Sequence, residues 1–478
     1  MNLPDFVKQS WRDHRRFVLF FTIVALIIRL YLVAVFPHIG GDTIVYEKLA
    51  NDIIATHTFS ISDSAPYVPN DIRTPGYPLF IAAIYVVFRH HETPIRLAQV
   101  LLDILTCFLI AMIVLAIAPD PNRMRMALLA FAIATVCPFL ANYTASILSE
   151  TLTIFLTTLA LFFCINALKR GGVRYWLLSG ITCGLTILVR PDSVLLAAAI
   201  GITLLVALFA KKDFKSLVIG ASAFGFSIIA VMSPWIIRNF VTLKKFQPLS
   251  ARYAEMPGEY VPKGYMKWVR TWIDNSKYEN LALWTLDDRE IDLGALPDKA
   301  FDSEEEKNRV ADLLEKYNDN TEMTPELDQQ FGQIADERIA RHPFNYYFWV
   351  PAKRGVSLWF DTRTELLPIN GVLLPIKQQI NDAPIDFTID FWMFLLNAGY
   401  IVLGIVGVYL MRKDRILILL TVLAIGIRTV YFASLENTEC RYVLEVYPLL
   451  EAFTAIGLFA IWTRIQAGAK APESVKPA

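Results

Sequence analysis

The chemistry in this sequence is concentrated in charged residues that stand at the ends of apolar runs. Asp42 follows Gly40-Gly41 just after the first such run, and Arg73 opens Arg73-Thr74-Pro75-Gly76-Tyr77-Pro78 just before the next. A carboxylate so placed can take a proton from an acceptor hydroxyl as a general base. It can equally open a helix, since Gly-Gly-Asp precedes the periodic apolar positions Ile44, Val45 and Leu49. Arg73 either snorkels to lipid headgroups or offers its planar guanidinium to the phosphate of a lipid-linked substrate. Glu150 starts a later apolar run, where it complements a helix N-terminus or binds a sugar hydroxyl. Arg190-Pro191-Asp192, Pro234-Trp235-Ile236-Ile237-Arg238-Asn239 and Glu439-Cys440-Arg441-Tyr442 bring further arginines to run ends. Each alone reads as an interfacial charge. Together Arg73, Arg190, Arg238 and Arg441 suit a monophosphate or diphosphate headgroup. Inside the runs, Arg29, Asp103 and Arg428 remain, and Arg96, Gln99 and Asp103 share one helix face, a pattern of structural pairing within a bundle.

The elements that position these residues are membrane helices. The chain of 478 residues is 55% hydrophobic, its mean hydropathy is +0.43, and its apolar runs are long enough to span a bilayer. The fold class expected is all-α and polytopic, with about ten transmembrane helices: 17–36, 97–118, 127–141, 151–168, 175–189, 193–210, 215–237, 391–411, 416–434 and 443–463. The first run is too long for a signal-peptide core and reads as a retained helix. Arg12, Arg15 and Arg16, Arg123 and Arg125, Lys169, Arg170 and Arg174, Lys211, Lys212 and Lys215, and Arg412, Lys413 and Arg415 all fall on one side. By the positive-inside rule that side, with both termini, is cytoplasmic. Residues 77–88 rise only about 18 Å as a helix, against roughly 30 Å of hydrocarbon. Counting them as a crossing would also invert the later loops, so they read as a re-entrant or interfacial helix of the opening loop.

This gives an N-terminal transmembrane domain, 1–238, whose first outer loop is 37–96. An exported α-rich soluble region, 239–390, lies between helices 7 and 8. C-terminal transmembrane helices follow over 391–465, then a disordered tail over 466–478. The 239–390 region carries a net charge of −8 and the remainder +8, as expected if the acidic part is exported. It holds amphipathic stretches at 304–317 and 325–339, and an aromatic run, Phe344 to Phe360, that reads as a helix at the membrane surface. Five cysteines, four of them in or near apolar helices, form neither a disulfide framework nor a zinc pattern. Phosphate-binding glycine loops and fixed-period repeats are absent, and no nucleic-acid partner is expected.

In order along the chain, these motifs resemble the GT-C superfamily of integral membrane glycosyltransferases. The likeness is to family 39, the protein O-mannosyltransferases and bacterial lipid A aminoarabinose transferases. The matching elements are Gly41-Asp42 with Tyr46 and Leu49-Ala50, Arg73 through Pro78, Arg96 with Gln99, Ser149-Glu150, Gly184-Leu185 leading to Arg190-Pro191, Pro234-Trp235 with Arg238-Asn239, His342-Pro343, and Glu439 with Arg441-Tyr442. The resemblance implies transfer of a sugar, with inversion, from a polyprenyl-phosphate donor to a lipid, glycan or protein acceptor at the outer face of a bacterial inner membrane. It makes Asp42 the catalytic base, with Arg73, Arg190, Arg238 and Arg441 on the donor phosphate. Tyr46, Tyr77, Glu150, Glu439 and Tyr442 become substrate contacts. The family often has a second acid after the aspartate; here Thr43 stands there. The expectation is a reaction without metal or other cofactor, since arginines can neutralise the leaving phosphate. The alternative, a divalent cation held by Asp42 and Glu150, follows the pattern of related oligosaccharyltransferases. His38, His57 and His342 carry no assigned role.

Rival classes make different demands on the same residues. A lipid-linked saccharide transporter or flippase would string charges along a path through the membrane, whereas here they gather at run ends. A polysaccharide ligase or polymerase would rest on arginine and histidine in one late loop.

Overall fold

A backbone inside hydrocarbon must satisfy its own hydrogen bonds, so apolar runs of this length become helices. The computed structural model, which describes residues 3–119, 121–210, 214–250 and 260–469, is helical with no β-sheet among the described residues. Its helices are α1 (Leu3–Val35), α2 (Gly41–Thr56), α3 (Gly76–Phe88), α4 (Glu92–Ile117), α5 (Arg123–Val136), α6 (Pro138–Ala141), α7 (Glu150–Arg170), α8 (Val173–Val189), α9 (Val194–Ala210), α10 (Phe214–Leu243), α11 (Lys263–Arg270), α12 (Glu279–Ala282), α13 (Glu304–Asn318), α14 (Pro325–Arg341), α15 (Val350–Trp359), α16 (Ile376–Asp382), α17 (Pro384–Leu410), α18 (Arg415–Ala433) and α19 (Tyr447–Ala469).

Among the described residues, eight helical segments are long and apolar enough to cross a membrane. A ninth is α5 with the segment from Pro138, bent by 48°. Pro138 cannot continue the hydrogen-bond ladder of α5, which accounts for the bend. The tenth expected crossing is α8, which is apolar but only 17 residues long. The chain is an integral membrane protein. Its helices show large apolar side chains such as Phe20, Ile27, Phe226 and Val430 to the outside, as a lipid solvent requires.

The interior of the bundle is not purely apolar. Arg29 of α1 is fully buried, its Nε 2.7 Å from Asp103 Oδ2 of α4, and its guanidinium also donates to the Thr135 and Ala134 carbonyls of α5. Three helices are thus pinned by one charge pair, the structural use expected for these residues. Where α17 and α19 cross, Gly407 leaves room that a Cβ would close to 2.0 Å from the Phe453 carbonyl oxygen.

α3 is a 13-residue helix rising about 20 Å. It buries Tyr77, Ile81, Ala82 and Tyr85 and shows Leu79, Val86, Val87 and Phe88 to the outside. Its start is set by Gly76, where a Cβ would sit 2.6 Å from the Leu188 carbonyl oxygen at the end of α8. Only glycine lets the two helix ends approach this closely, and Thr74 Oγ1 adds a 3.2 Å bond to the Val189 carbonyl.

Residues 260–341 have an apolar core of their own around Tyr265, Trp268, Trp272, Tyr317 and Phe331. The amphipathic stretches at 304–317 and 325–339 are α13 and α14. Ser303 caps the first at the Glu306 amide and Thr324, with Pro325 following, caps the second at the Leu327 amide. Phe344, just before a turn of π-helix, and Tyr347, Phe348 and Trp349 on that turn are exposed, and the turn leads into α15. At the C-terminus, residues 466–469 continue α19 rather than forming a tail. Residues 470–478 and the expected cytoplasmic Lys211 and Lys212 lie outside the described residues.

Candidate active site

Asp42 is the second residue of α2, preceded by Gly40 in an extended conformation. Its neighbour explains its orientation. Thr43 is fully buried and donates its hydroxyl to the Ile147 carbonyl at 3.0 Å, so the helix turns Thr43 inward and leaves Asp42 at the edge. Thr43 is therefore a structural tether. The same stretch, 143–148, is held from α4 by Arg96 Nε on the Ala145 carbonyl at 2.9 Å and Gln99 Nε2 on the Ser146 carbonyl at 2.7 Å. It is held from the link between α1 and α2 by the His38 amide on the Ala145 carbonyl. That framework sets Glu150 at the first position of α7.

Around Asp42 and Glu150 the charges form layers. In the most accessible layer, Arg73 Nη2 lies 2.7 Å from Asp42 Oδ1, and Arg441 Nη1 lies 3.6 Å from Asp42 Oδ2. Arg441 Nε meets Glu439 Oε2 at 2.5 Å. The side chains of Asp42, Glu439 and Arg73 keep 30%, 24% and 23% of their accessible surface, enough for a solute to reach them. One step deeper, Glu150 retains 3%; its Oε1 is 2.8 Å from Arg190 Nη1 and 3.5 Å from Arg441 Nη1, while its Oε2 has no hydrogen-bond partner among the described residues. On the other side of Arg190, its Nε meets Asp192 and Glu445, each at 3.2 Å. Arg428 Nη2 meets the same pair at 2.5 and 2.7 Å. Four arginines and five acids, Asp42, Glu150, Asp192, Glu439 and Glu445, thus form one connected network.

Burial pushes the Asp42 carboxyl up, but the guanidiniums of Arg73 and Arg441 beside it outweigh this and hold it below its ordinary value. Tyr442 covers the cluster from above. Its ring lies 5.4 Å from the Arg441 guanidinium and 5.6 Å from that of Arg190, and its hydroxyl donates to Glu439 Oε1 at 3.1 Å. Tyr46 lies close beside the Arg73 side chain.

The structure thus brings together Asp42, Arg73, Glu150, Arg190, Glu439, Arg441 and Tyr442, with Tyr46 beside them. Two expected site residues stand elsewhere. Tyr77 is fully buried behind Tyr46, at 4.9 Å between ring centroids, and donates its hydroxyl to Gln99 Oε1 at 2.7 Å. It packs the wall instead of facing a solute. Arg238 lies on the Trp235 and Phe59 rings and donates to the Asn70 and Phe59 carbonyls. It braces the loop that leads to Arg73 instead of joining the arginine cluster, because its place on α10 aims it at that loop. Asp192, Glu445 and Arg428 entered the network without an expected site role. Glu445 lies four residues after Arg441, and that spacing was the available signal.

A cation shared by Asp42 and Glu150 does not fit this arrangement, since the Arg441 guanidinium lies between the two carboxylates. Among the described residues no three His, Cys, Asp or Glu side chains converge as metal ligands.

Residues 72–243 match the sequence profile of the dolichyl-phosphate-mannose-protein mannosyltransferase family. That stretch contains Arg73, Glu150 and Arg190 but neither Asp42 nor Arg441. No curated protein sequence matches the chain. Among solved structures, the archaeal oligosaccharyltransferase AglB from Archaeoglobus fulgidus, in complex with an inhibitory peptide and a dolichol-phosphate, superposes with a TM-score of 0.50. It shares 12% identity over 98% of this chain and 53% of its own. The same enzyme tethered to an acceptor peptide gives 0.50 at 12% identity over 99% and 53%. ArnT from Cupriavidus metallidurans bound to undecaprenyl phosphate gives 0.39 at 13% identity over 96% and 81%. The chain thus spans about half the length of the oligosaccharyltransferase it matches. The profile match and the shared architecture bear out the resemblance read from the motifs: the chain has the GT-C fold of integral membrane glycosyltransferases.

Proposed function

We propose that the protein is an inverting glycosyltransferase that moves a sugar from a polyprenyl-phosphate donor to an acceptor at the exported face of the membrane. The observation that carries this reading is the partly accessible Asp42 carboxylate held between Arg73 and Arg441, with Glu150 and Arg190 directly behind. Support comes from the profile match to a family named for transfer from a lipid phosphate. The oligosaccharyltransferase of the same architecture was solved with a dolichol-phosphate.

In this reading the acceptor O–H gives its proton to Asp42 while its oxygen attacks the anomeric carbon. The bond between that carbon and the phosphate oxygen breaks on the opposite face. The electron pair leaves with the polyprenyl phosphate, whose charge Arg73, Arg441 and Arg190 neutralise. Neither a metal nor a protonated leaving-group acid is required. Glu150 and Glu439 keep the arginines oriented and offer oxygens to sugar hydroxyls, and Tyr442 supplies a flat apolar surface. The loop charges support cytoplasmic termini and an exported site, and the resemblance implies a bacterial inner membrane. The acceptor is a lipid, glycan or protein.

The test is mass spectrometry of envelope lipids and glycans from cells with the protein, without it, and with Asp42→Asn. A glycan product present only with the wild-type chain is expected, with Asp42→Asn lowering transfer by about 10²–10⁴-fold at normal expression. Wild-type turnover in Asp42→Asn removes Asp42 as the base.

A further inference from the structure

Glu279, the first residue of α12, belongs to the acidic region that has no part in the cluster described above. It retains only 2% of its accessible surface, and among the described residues no lysine or arginine pairs with it. Its Oε1 instead accepts from the Thr438 hydroxyl at 2.6 Å and from the Thr438 amide. Burial, with Glu439 close by, pushes its carboxyl up to about 8. Thr438 is itself 1% exposed and directly precedes Glu439, which holds Arg441 against Asp42. Asn437 braces the same turn, donating to the Tyr442 hydroxyl at 2.8 Å and accepting from the Glu439 amide at 3.3 Å.

A second anchor lies one residue upstream of this turn. Arg270 of α11 meets Glu436 Oε2 at 3.0 Å through Nε and 2.5 Å through Nη2. Arg354 of α15, fully buried, donates to the Arg270 and Ile273 carbonyls at 2.6 Å each and to the Ala433 carbonyl at 3.4 Å. The end of α18 and the segment after it are therefore gripped at two points, and only the Glu279 grip falls next to Glu439. An isolated buried carboxyl is costly to keep; here its bonds go to the backbone and side chain of the residue that places the arginine.

We propose that Glu279 is a positioning residue: through Thr438 it fixes the Glu439-Cys440-Arg441-Tyr442 turn against Asp42 and Glu150. Region 260–341 then belongs to the phosphate site without touching the substrate. This rests on the transferase reading, so the test has one arm that does not. In the full-length protein, hydrogen exchange at the 437–442 amides is compared for wild type, Glu279→Ala, Glu279→Gln and Thr438→Val. Binding of undecaprenyl phosphate, free of sugar, is measured on the same samples.

Glu279→Ala speeds exchange at 437–442 and weakens lipid-phosphate binding by about tenfold, the scale of one lost buried hydrogen bond. The protection of α13 and α14 stays as in wild type. Glu279→Gln, whose amide oxygen still accepts from Thr438, stays within about twofold on the same scale. Thr438→Val removes the hydroxyl from the other side and shows the weakening even if Glu279→Ala does not fold. Unchanged exchange at 437–442 in the variants that fold overturns the proposal, as does wild-type lipid-phosphate affinity in them. If the wild-type chain fails to bind the lipid phosphate, the transferase reading fails and the exchange arm still decides the clamp.

Discussion

Every arginine of the cluster already holds a carboxylate, so a phosphate entering the site must compete for it. The most accessible contest is at Arg73 and Arg441, which share Asp42. A donor phosphate that draws these guanidiniums away leaves Asp42 with less positive charge beside it, and a carboxylate so released is a stronger base. In the proposed reaction the base would therefore be held weak until the donor is bound. Replacing Arg73 by Gln tests the electrostatic half of this. Asp42 loses its closest positive neighbour, its pKa rises, and the acidic limb of kcat/KM moves to higher pH while donor affinity falls. Identical acidic limbs in wild type and Arg73→Gln count against Asp42 as the titrating base. The candidates at this scale were legible because several arginines and acids gather at run ends on one side of the chain. Their pairing was not. Arg238 carries the same signal as Arg190, an arginine at the end of an apolar run, yet meets loop carbonyls instead of acids. Which arginine meets which acid depends on how α7, α8, α18 and α19 pack, and Arg428 and Asp192 lie 236 residues apart.

At the scale of elements, the site stands on close contacts between helix ends. Gly76→Ala would place a Cβ 2.6 Å from the Leu188 carbonyl oxygen, and α3 must move off α8. A cost of roughly 1–3 kcal/mol is expected, with lost transfer because Arg73 moves along; thermal unfolding in detergent and turnover measure the two. Deeper in the bundle, Arg29→Ala strands Asp103 without its partner and costs roughly 3–5 kcal/mol. Replacing both residues, Arg29→Met with Asp103→Leu, costs less than either change alone. Glu279 makes a pH-dependent contribution. Its folded-state pKa is raised from 4.5 to about 8, so the folded chain binds the proton more tightly. Stability therefore falls as pH rises between those values, and Glu279→Gln removes that part of the slope of melting temperature against pH. The helices of the acidic region were legible at 304–317 and 325–339 from amphipathic periodicity, which depends on local sequence alone. The bend at Pro138 was not anticipated within 127–141, and neither was the joining of region 260–341 to the turn at 436–442. The residues that make that joint, Glu279 and Thr438, look like ordinary polar residues in their own segments.

For the whole molecule, the open quantity is orientation, which the fold alone leaves free and the loop charges predict. The bundle has two chemically different ends. The N-terminus of α7 carries Glu150 in the cluster, and its C-terminus carries Lys169 and Arg170, about 30 Å away at helical rise. There Lys169 pairs with Asp414 at the start of α18. Excess lysine and arginine at this second end predicts that it faces the cytoplasm, which puts Asp42, Arg441 and the acidic region on the exported side. The five cysteines are all buried, so an introduced thiol reports its own location with little background. Asp63, whose side chain is fully exposed in the opening loop, and Lys413, exposed between α17 and α18, are suitable positions. In intact spheroplasts a membrane-impermeant maleimide should label Asp63→Cys at once and Lys413→Cys only after permeabilisation. The opposite pattern would turn the site toward the cytoplasm. A donor carrying its sugar on the exported leaflet could not then reach Asp42, and the mechanism proposed for the cluster would have no substrate on its side of the membrane.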